Sequence, residues 1–137
     1  MTDAPRATGA GLAEFLDMMR QMRAECAWKA SQTHESLAQY MTEEAGEAVE
    51  AIHEGDDRHL QEELGDVLVQ IYFHAILAEE RGAFTMDDIV EGLRQKMIRR
   101  NPHVFGGLRG TNPSIEETNR IWQRVKEQEE AQGLRRS

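Results

Sequence analysis

The sequence predicts an all-α protein, a bundle of four to five helices. Apolar residues recur at the i, i+3, i+4, i+7 spacing of amphipathic helices through most of the chain. Capping signatures and Gly or Pro stops divide that pattern into segments. No stretch alternates in the period-two manner of a strand.

The elements follow in order. Residues 1–11 (MTDAPRATGAG) are small, polar and Gly/Pro-containing, and read as a flexible leader. Leu12, Phe15, Leu16, Met19 and Met22 place a first helix over about 10–25. Cys26–Thr33 interrupts the pattern and reads as a loop. A second helix spans about His34–Glu54, with Leu37, Tyr40, Met41, Ala48, Ala51 and Ile52 on its apolar stripe. Gly55-Asp56-Asp57 is a turn. The third helix, about Arg58–Arg81, carries Leu60, Leu64, Val67, Leu68, Ile71, Ala75 and Ala78. From Val67 onward it is apolar nearly all round, which predicts the most buried helix. Gly82 stops it. Thr85 with Asp88 opens a fourth helix to about Arg100, with Ile89, Val90, Leu93 and Met97 inward, and Asn101-Pro102 ends it. Residues 101–113 hold three glycines and two prolines and read as an ordered start leading into a loop. Ser114 with Glu117 caps a fifth helix that turns Ile115, Ile121, Trp122 and Val125 inward. Residues 129–137 read as a polar tail, which leaves one helical domain over 12–128. Its many apolar helix faces predict burial against partner subunits.

Composition bounds the function. The chain has 137 residues, 30% charged and 39% hydrophobic, the profile of an ordinary globular domain. Its net charge of −9 argues against binding a nucleic acid polymer, which takes Lys and Arg contacts to phosphates. The single cysteine, Cys26, excludes an internal disulfide and fits a cytoplasmic protein. It lacks the Cys or His company of a zinc site. The apolar run Val67–Ala78 is too short to span a bilayer, so no membrane association is expected.

Two acidic clusters carry the chemistry. Glu43-Glu44-Ala45-Gly46-Glu47 has the form E-E-x-x-E, and Glu63-Leu64-Gly65-Asp66 the form E-x-x-D. Helical residues three apart share a face, about 5–6 Å apart at Cβ. Glu44 with Glu47, and Glu63 with Asp66, are therefore two pairs able to face each other across a helical hairpin. Glu44 also falls on an apolar stripe, where an acid is costly unless paired or metal-bound. A hard divalent cation with oxygen ligands removes the repulsion, and all-oxygen ligation points to Mg²⁺ or Mn²⁺. Metal-assisted chemistry on a phosphate ester is the first hypothesis. Glu50 and His53 form a single E-x-x-H, and a di-iron bundle needs two. Lys96 and Arg100, four apart beside Arg99 and Asn101, form the main basic cluster outside the tails. They suit phosphate oxygens or, equally, a solvated helix end that complements the dipole.

At this point the chain closely resembles the MazG family of nucleoside triphosphate pyrophosphohydrolases. The matching elements are C-x-W at Cys26–Trp28, QTHESL at Gln32–Leu37, EEAGEAVEAI at Glu43–Ile52 and EELGDVLVQIYFHA at Glu62–Ala75. K-x-x-x-R-x-P-H-V-F at Lys96–Phe105 and W-x-x-x-K at Trp122–Lys126 complete them. The resemblance implies the MazG-like all-α fold, assembly as a homodimer or homotetramer, and Mg²⁺-dependent hydrolysis of a nucleoside triphosphate to the monophosphate and pyrophosphate. It implies metal ligation by Glu44, Glu47, Glu63 and Asp66, phosphate contacts from Lys96 and Arg100, and a substrate contact from Trp122, with Trp28 a second aromatic candidate. Glu43, or Glu44 or Glu47, is the expected group to orient the attacking water or take its proton. His34, His53, His59 and His74 read as structural or solvated, and His103 as loop-stabilising. Departures from the family pattern are Ala27 and Lys29, where C-P-W-D is common, and Gly46, where a bulkier residue is common. The competing class is a non-catalytic helical module that binds nucleotide or a protein partner.

Overall fold

Seven helices, and no strand, run through residues 8–134, the part of the chain that the computed structural model describes. They are α1 (Thr8–Glu25), α2 (Ala27–Ala30), α3 (His34–Glu54), α4 (Asp57–Glu80), α5 (Met86–Arg100), α6 (Pro102–Phe105) and α7 (Ile115–Ala131). The five long helices lie where the periodicity puts them. The two short ones fall within stretches read as loops. Helix α1 takes in residues 8–11 of the expected leader, and α7 takes in residues 129–131 of the expected tail. The rest of the leader, 1–7, and the tail's last residues, 135–137, lie outside the described residues. The chain divides into two compact units, the first ending at Met86 and the second beginning at Asp87.

In the first unit, α3 and α4 form an antiparallel hairpin whose ends are built by local chemistry. Thr33 Oγ1 accepts the Ser36 amide at 3.1 Å, and Ser36 Oγ accepts the Thr33 amide at 2.8 Å, a reciprocal cap on α3. Gly55 ends α3 at φ +74°, a left-handed geometry that favours glycine. Asp56 then caps α4 by accepting the amides of Arg58 and His59. Helix α4 closes at Gly82, φ +69°, with the Ala83 amide donating to the Ala78 carbonyl.

The core of this unit is Met19, Leu37, Tyr72, Phe73, Ile76 and Leu77. Phe15 meets Tyr72 edge-on, and the Tyr72 hydroxyl donates to the Leu12 carbonyl. Arg20 and Arg23 pair with Glu79 and Glu80, tying α1 to the end of α4. Arg23 also donates to the carbonyls of Lys29 and Gln32, which holds α2 in place. His34 and His74 stack with their Nδ1 atoms 2.7 Å apart, joining the start of α3 to α4. Burial and the neighbouring His34 push His74 below the ordinary imidazole range. Helix α4 is indeed the richest in buried residues. The residues it buries differ from the expected stripe: Ala75 and Ala78 are buried, but Leu64 and Leu68 are exposed, and Tyr72, Phe73, Ile76 and Leu77 take their place.

In the second unit, Ser114 caps α7 by accepting the Glu117 amide, as its S-x-x-E spacing predicts. Pro102 opens α6, where a missing N–H costs nothing. The inward stripes expected here are corrected in part. Ile121 is buried, but Ile115 is 84% exposed, and Val90, Leu93 and Met97 of α5 are exposed.

Candidate metal centre and cation pocket

Glu44 and Glu47 sit one turn apart on α3, and Glu63 and Asp66 one turn apart on α4. The packing of those two helices brings the pairs together. One carboxylate oxygen from each of the four lies within 4.8 Å of the others. Glu63 is only 8% exposed, Glu44 and Asp66 are half-buried, and Glu47 is exposed. Burial pushes the Glu44 carboxyl above its ordinary range, and the charges of Glu47, Asp66 and Glu63 push the same way. Burial likewise raises Glu63, as do Glu47 and Asp66, while His59 opposes. Such a group of acids favours any positive charge placed among them.

The residues fit a metal on two further counts. The donor set is all oxygen. Glu44 Oε2 and Glu63 Oε2 are buried without a hydrogen-bond partner, a costly condition for carboxylate oxygens that ligation relieves. Glu43 is exposed and stands outside the four-carboxylate cluster. Glu50 and His53, the E-x-x-H pair, are also exposed and outside it, which removes the structural basis for a di-iron centre there.

His59 is the residue whose role near this cluster the sequence reading missed. Its Nδ1 lies 2.7 Å from Glu54 Oε2 and its Nε2 3.2 Å from Glu63 Oε1. Glu54 raises its pKa most, Glu63 adds to this, and burial opposes. Hydrogen bonds to two carboxylates through both ring nitrogens suit the imidazolium. The signal was present in the i, i+4 spacing of His59 and Glu63 on one helix. His34 and His74 form the structural pair already described, and His103 Nδ1 is buried without a partner.

The basic residues occupy the second unit and are split. Arg100 lines a cavity of about 260 Å³ with Met97, Asn101, Trp122 and Lys126. Lys96 lines a different groove with Arg99. The i, i+4 spacing of Lys96 and Arg100 therefore does not place them in one pocket. Asn101 orders the first cavity: its Nδ2 donates to the Met97 carbonyl at 2.7 Å, and its Oδ1 accepts from Trp122 Nε1 at 3.3 Å. Lys126 lies one turn beyond Trp122 on α7 and was legible as the last member of W-x-x-x-K. Trp28, in the first unit, is half-exposed, edge-on to Tyr40 and beneath the Lys29 ammonium.

Comparison with known proteins gives these positions a context. Residues 32–105 match the MazG nucleotide pyrophosphohydrolase domain, a span that holds all four clustered acids together with Lys96 and Arg100. The "Nucleoside triphosphate pyrophosphohydrolase/pyrophosphatase MazG" of Thermotoga maritima is 46% identical over 118 residues, 85% of this chain and 44% of that protein. The "Nucleoside triphosphate pyrophosphohydrolase" of Escherichia coli is 36% identical over 126 residues, 92% of this chain and 47% of that protein. The chain thus spans less than half the length of these curated relatives. The crystal structure of a mazG-related protein from Thermotoga maritima shares the fold, with a TM-score of 0.72 at 24% identity over 84% of this chain and 98% of the other.

Proposed function

We propose that this chain, which belongs to the MazG nucleotide pyrophosphohydrolase family, hydrolyses nucleoside or deoxynucleoside triphosphates to the monophosphate and pyrophosphate. The observation that carries the reading is the cluster of four carboxylates from α3 and α4, with two buried oxygens left unpartnered. Glu44, Glu47, Glu63 and Asp66 are the proposed ligands of a divalent cation, Mg²⁺ or Mn²⁺. When bound, such a cation neutralises phosphate charge and makes water a better nucleophile near neutral pH.

The chain's own groups take the remaining roles in this reading. Glu43, or Glu44 or Glu47 of the cluster, orients a water and accepts its proton. A bond forms from that water's oxygen to the α-phosphorus, the α–β bridging bond breaks, and pyrophosphate departs with the bridging oxygen. Arg100 from its cavity, and Lys96 from the separate groove it lines, are the proposed groups that offset its charge. Trp122, and secondarily Trp28, offers an aromatic face to the nucleobase. No helix among the described residues is long and apolar enough to cross a membrane, and we place the enzyme in the cytoplasm. We also assign it a homodimeric or homotetrameric state, supported by the exposed Val49 and Ile52 of α3 and Leu64 and Leu68 of α4, apolar residues of the kind that subunit contacts bury.

The test is incubation of the purified chain with Mg²⁺ and a panel of triphosphates in ¹⁸O-labelled water. The expected products are monophosphate and pyrophosphate, with the label in the monophosphate. Label in pyrophosphate would move the attack to the β-phosphorus. Absence of turnover across the panel would leave the non-catalytic nucleotide-binding module as the reading.

A further inference from the structure

Glu129 is the most deeply buried charged side chain among the described residues, at 2% exposure, and it continues the α7 stripe of Ile121, Trp122 and Val125. A carboxylate so placed needs full pairing. Arg99 donates to its Oε2 from Nε at 2.9 Å and from Nη2 at 2.8 Å. Arg100 donates to its Oε1 from Nε at 3.2 Å and from Nη2 at 3.1 Å. Burial pushes the carboxyl up, but the two guanidinium groups outweigh it and hold the pKa below the ordinary range.

The consequence is directional. Consecutive residues of a helix point about 100° apart, so Arg99 and Arg100 left to themselves would diverge. One carboxylate at the seam holds each by its Nε/Nη2 edge and leaves each Nη1 edge unused by this pairing. Two cations and one anion leave a surplus of one positive charge. Trp122, Lys126 and Glu129 fall at i, i+4 and i+7 on α7, so the anchoring acid rises from the same face as two walls of the Arg100 cavity.

We propose that Glu129 is a positioning residue that aims the Arg100 guanidinium into the cavity walled by Trp122 and Lys126, where it meets the phosphate oxygens of the substrate. This rests on the reading of Arg100 as a phosphate contact. Electrostatics and positioning predict opposite signs, which makes the idea testable. Glu129→Gln removes a negative charge from a cationic pocket, so charge alone would tighten anion binding. Loss of positioning weakens it.

The experiment titrates inorganic pyrophosphate into the full chain in EDTA, so that no divalent cation contributes. Trp122 fluorescence is the readout, in a Trp28→Phe background. Arg100→Ala, Glu129→Gln and the charge-preserving Glu129→Asp are compared with the parent, each with its thermal midpoint measured. The expected result is binding by the parent and a loss of about tenfold or more in affinity for all three variants, the scale of losing a hydrogen bond to a charged group. Unchanged or tighter binding in Glu129→Gln overturns the proposal, as does full affinity in Glu129→Asp should the glutamine variant not fold. A lowered midpoint with parental affinity would make Glu129 a structural strut only, which also overturns it. If the parent fails to bind pyrophosphate, the phosphate-contact reading and this inference fall together. If it binds through Arg100 but hydrolyses no triphosphate, the enzymatic reading falls and the positioning role stands.

Discussion

The acidic cluster of α3 and α4 and the Arg99–Arg100–Glu129 cluster of α5 and α7 crowd like charges in opposite ways. Among the acids, burial and mutual repulsion raise Glu44 and Glu63, and His59 is the one described cation that touches the group. Among the arginines, a buried carboxylate sits between the two like charges and accepts from both. The first arrangement is electrostatically incomplete without an added cation. The second is complete in itself and keeps one positive charge to spare. A surplus of negative charge with no internal partner suits a cation site, and a surplus of positive charge held in place by an internal partner suits an anion contact.

The largest expected effect breaks this comparison if it fails. Glu44→Gln and Asp66→Asn should each lower pyrophosphate release by more than about 100-fold, since loss of a ligand should exceed loss of an outer-shell group. Their helical circular dichroism should stay near that of the parent. Parental turnover in both variants would refute the metal assignment.

Stability should then move in opposite directions in the two clusters. Glu44→Gln relieves repulsion and should raise the thermal midpoint of the metal-free chain. Glu129→Gln leaves two partly buried guanidinium groups poorly paired and should cost about 1–3 kcal/mol by chemical denaturation. Equal shifts of one sign would mean that the two regions do not differ as described.

A smaller effect is the pH dependence of the metal-free chain. Glu44 and Glu63 hold their protons more tightly folded than unfolded, so their ionisation costs stability as pH rises through the raised values. The His59 contribution is full below the ordinary imidazole value and is lost as pH rises through its raised one. These three slopes have one sign and the lowered His74 and Cys26 the opposite one, so the signature is the metal-sensitive part: the midpoint in EDTA, taken relative to that in excess Mg²⁺, should fall from mildly acidic to mildly alkaline pH. Glu79 and Glu129, whose values are lowered, lose their contributions only below the ordinary carboxylate range. Excess Mg²⁺ or Mn²⁺ should flatten the slope, and a slope indifferent to metal would count against the centre.

Much of this was legible before any coordinates. The span of α3 was read to the residue, because an apolar stripe and the Gly55 turn mark it. The Ser114 cap was legible from S-x-x-E, and the acids from their spacing and their intrusion on an apolar stripe. The two short helices were not, since a single turn is too brief to show a period. Leu64 and Leu68 were read as core because they keep helical spacing. Which face of α4 is covered depends on where α1 lies, and α1 packs toward its C-terminal half, over Tyr72, Phe73 and Ile76. Glu129 was read as tail although it continues the stripe of Ile121, Trp122 and Val125; its partners Arg99 and Arg100, on another helix, gave no sign in one dimension.

By itself, the sequence determined the long helices and the pairing of acids within each, because both are local consequences of a 3.6-residue repeat. Tertiary structure alone decided that the two acid pairs share one cluster, that Lys96 and Arg100 line separate surfaces, and that Glu129 pairs with Arg99 and Arg100. Those are distances between residues far apart in the chain, and they are set by how side chains pack across helices, which no local spacing encodes.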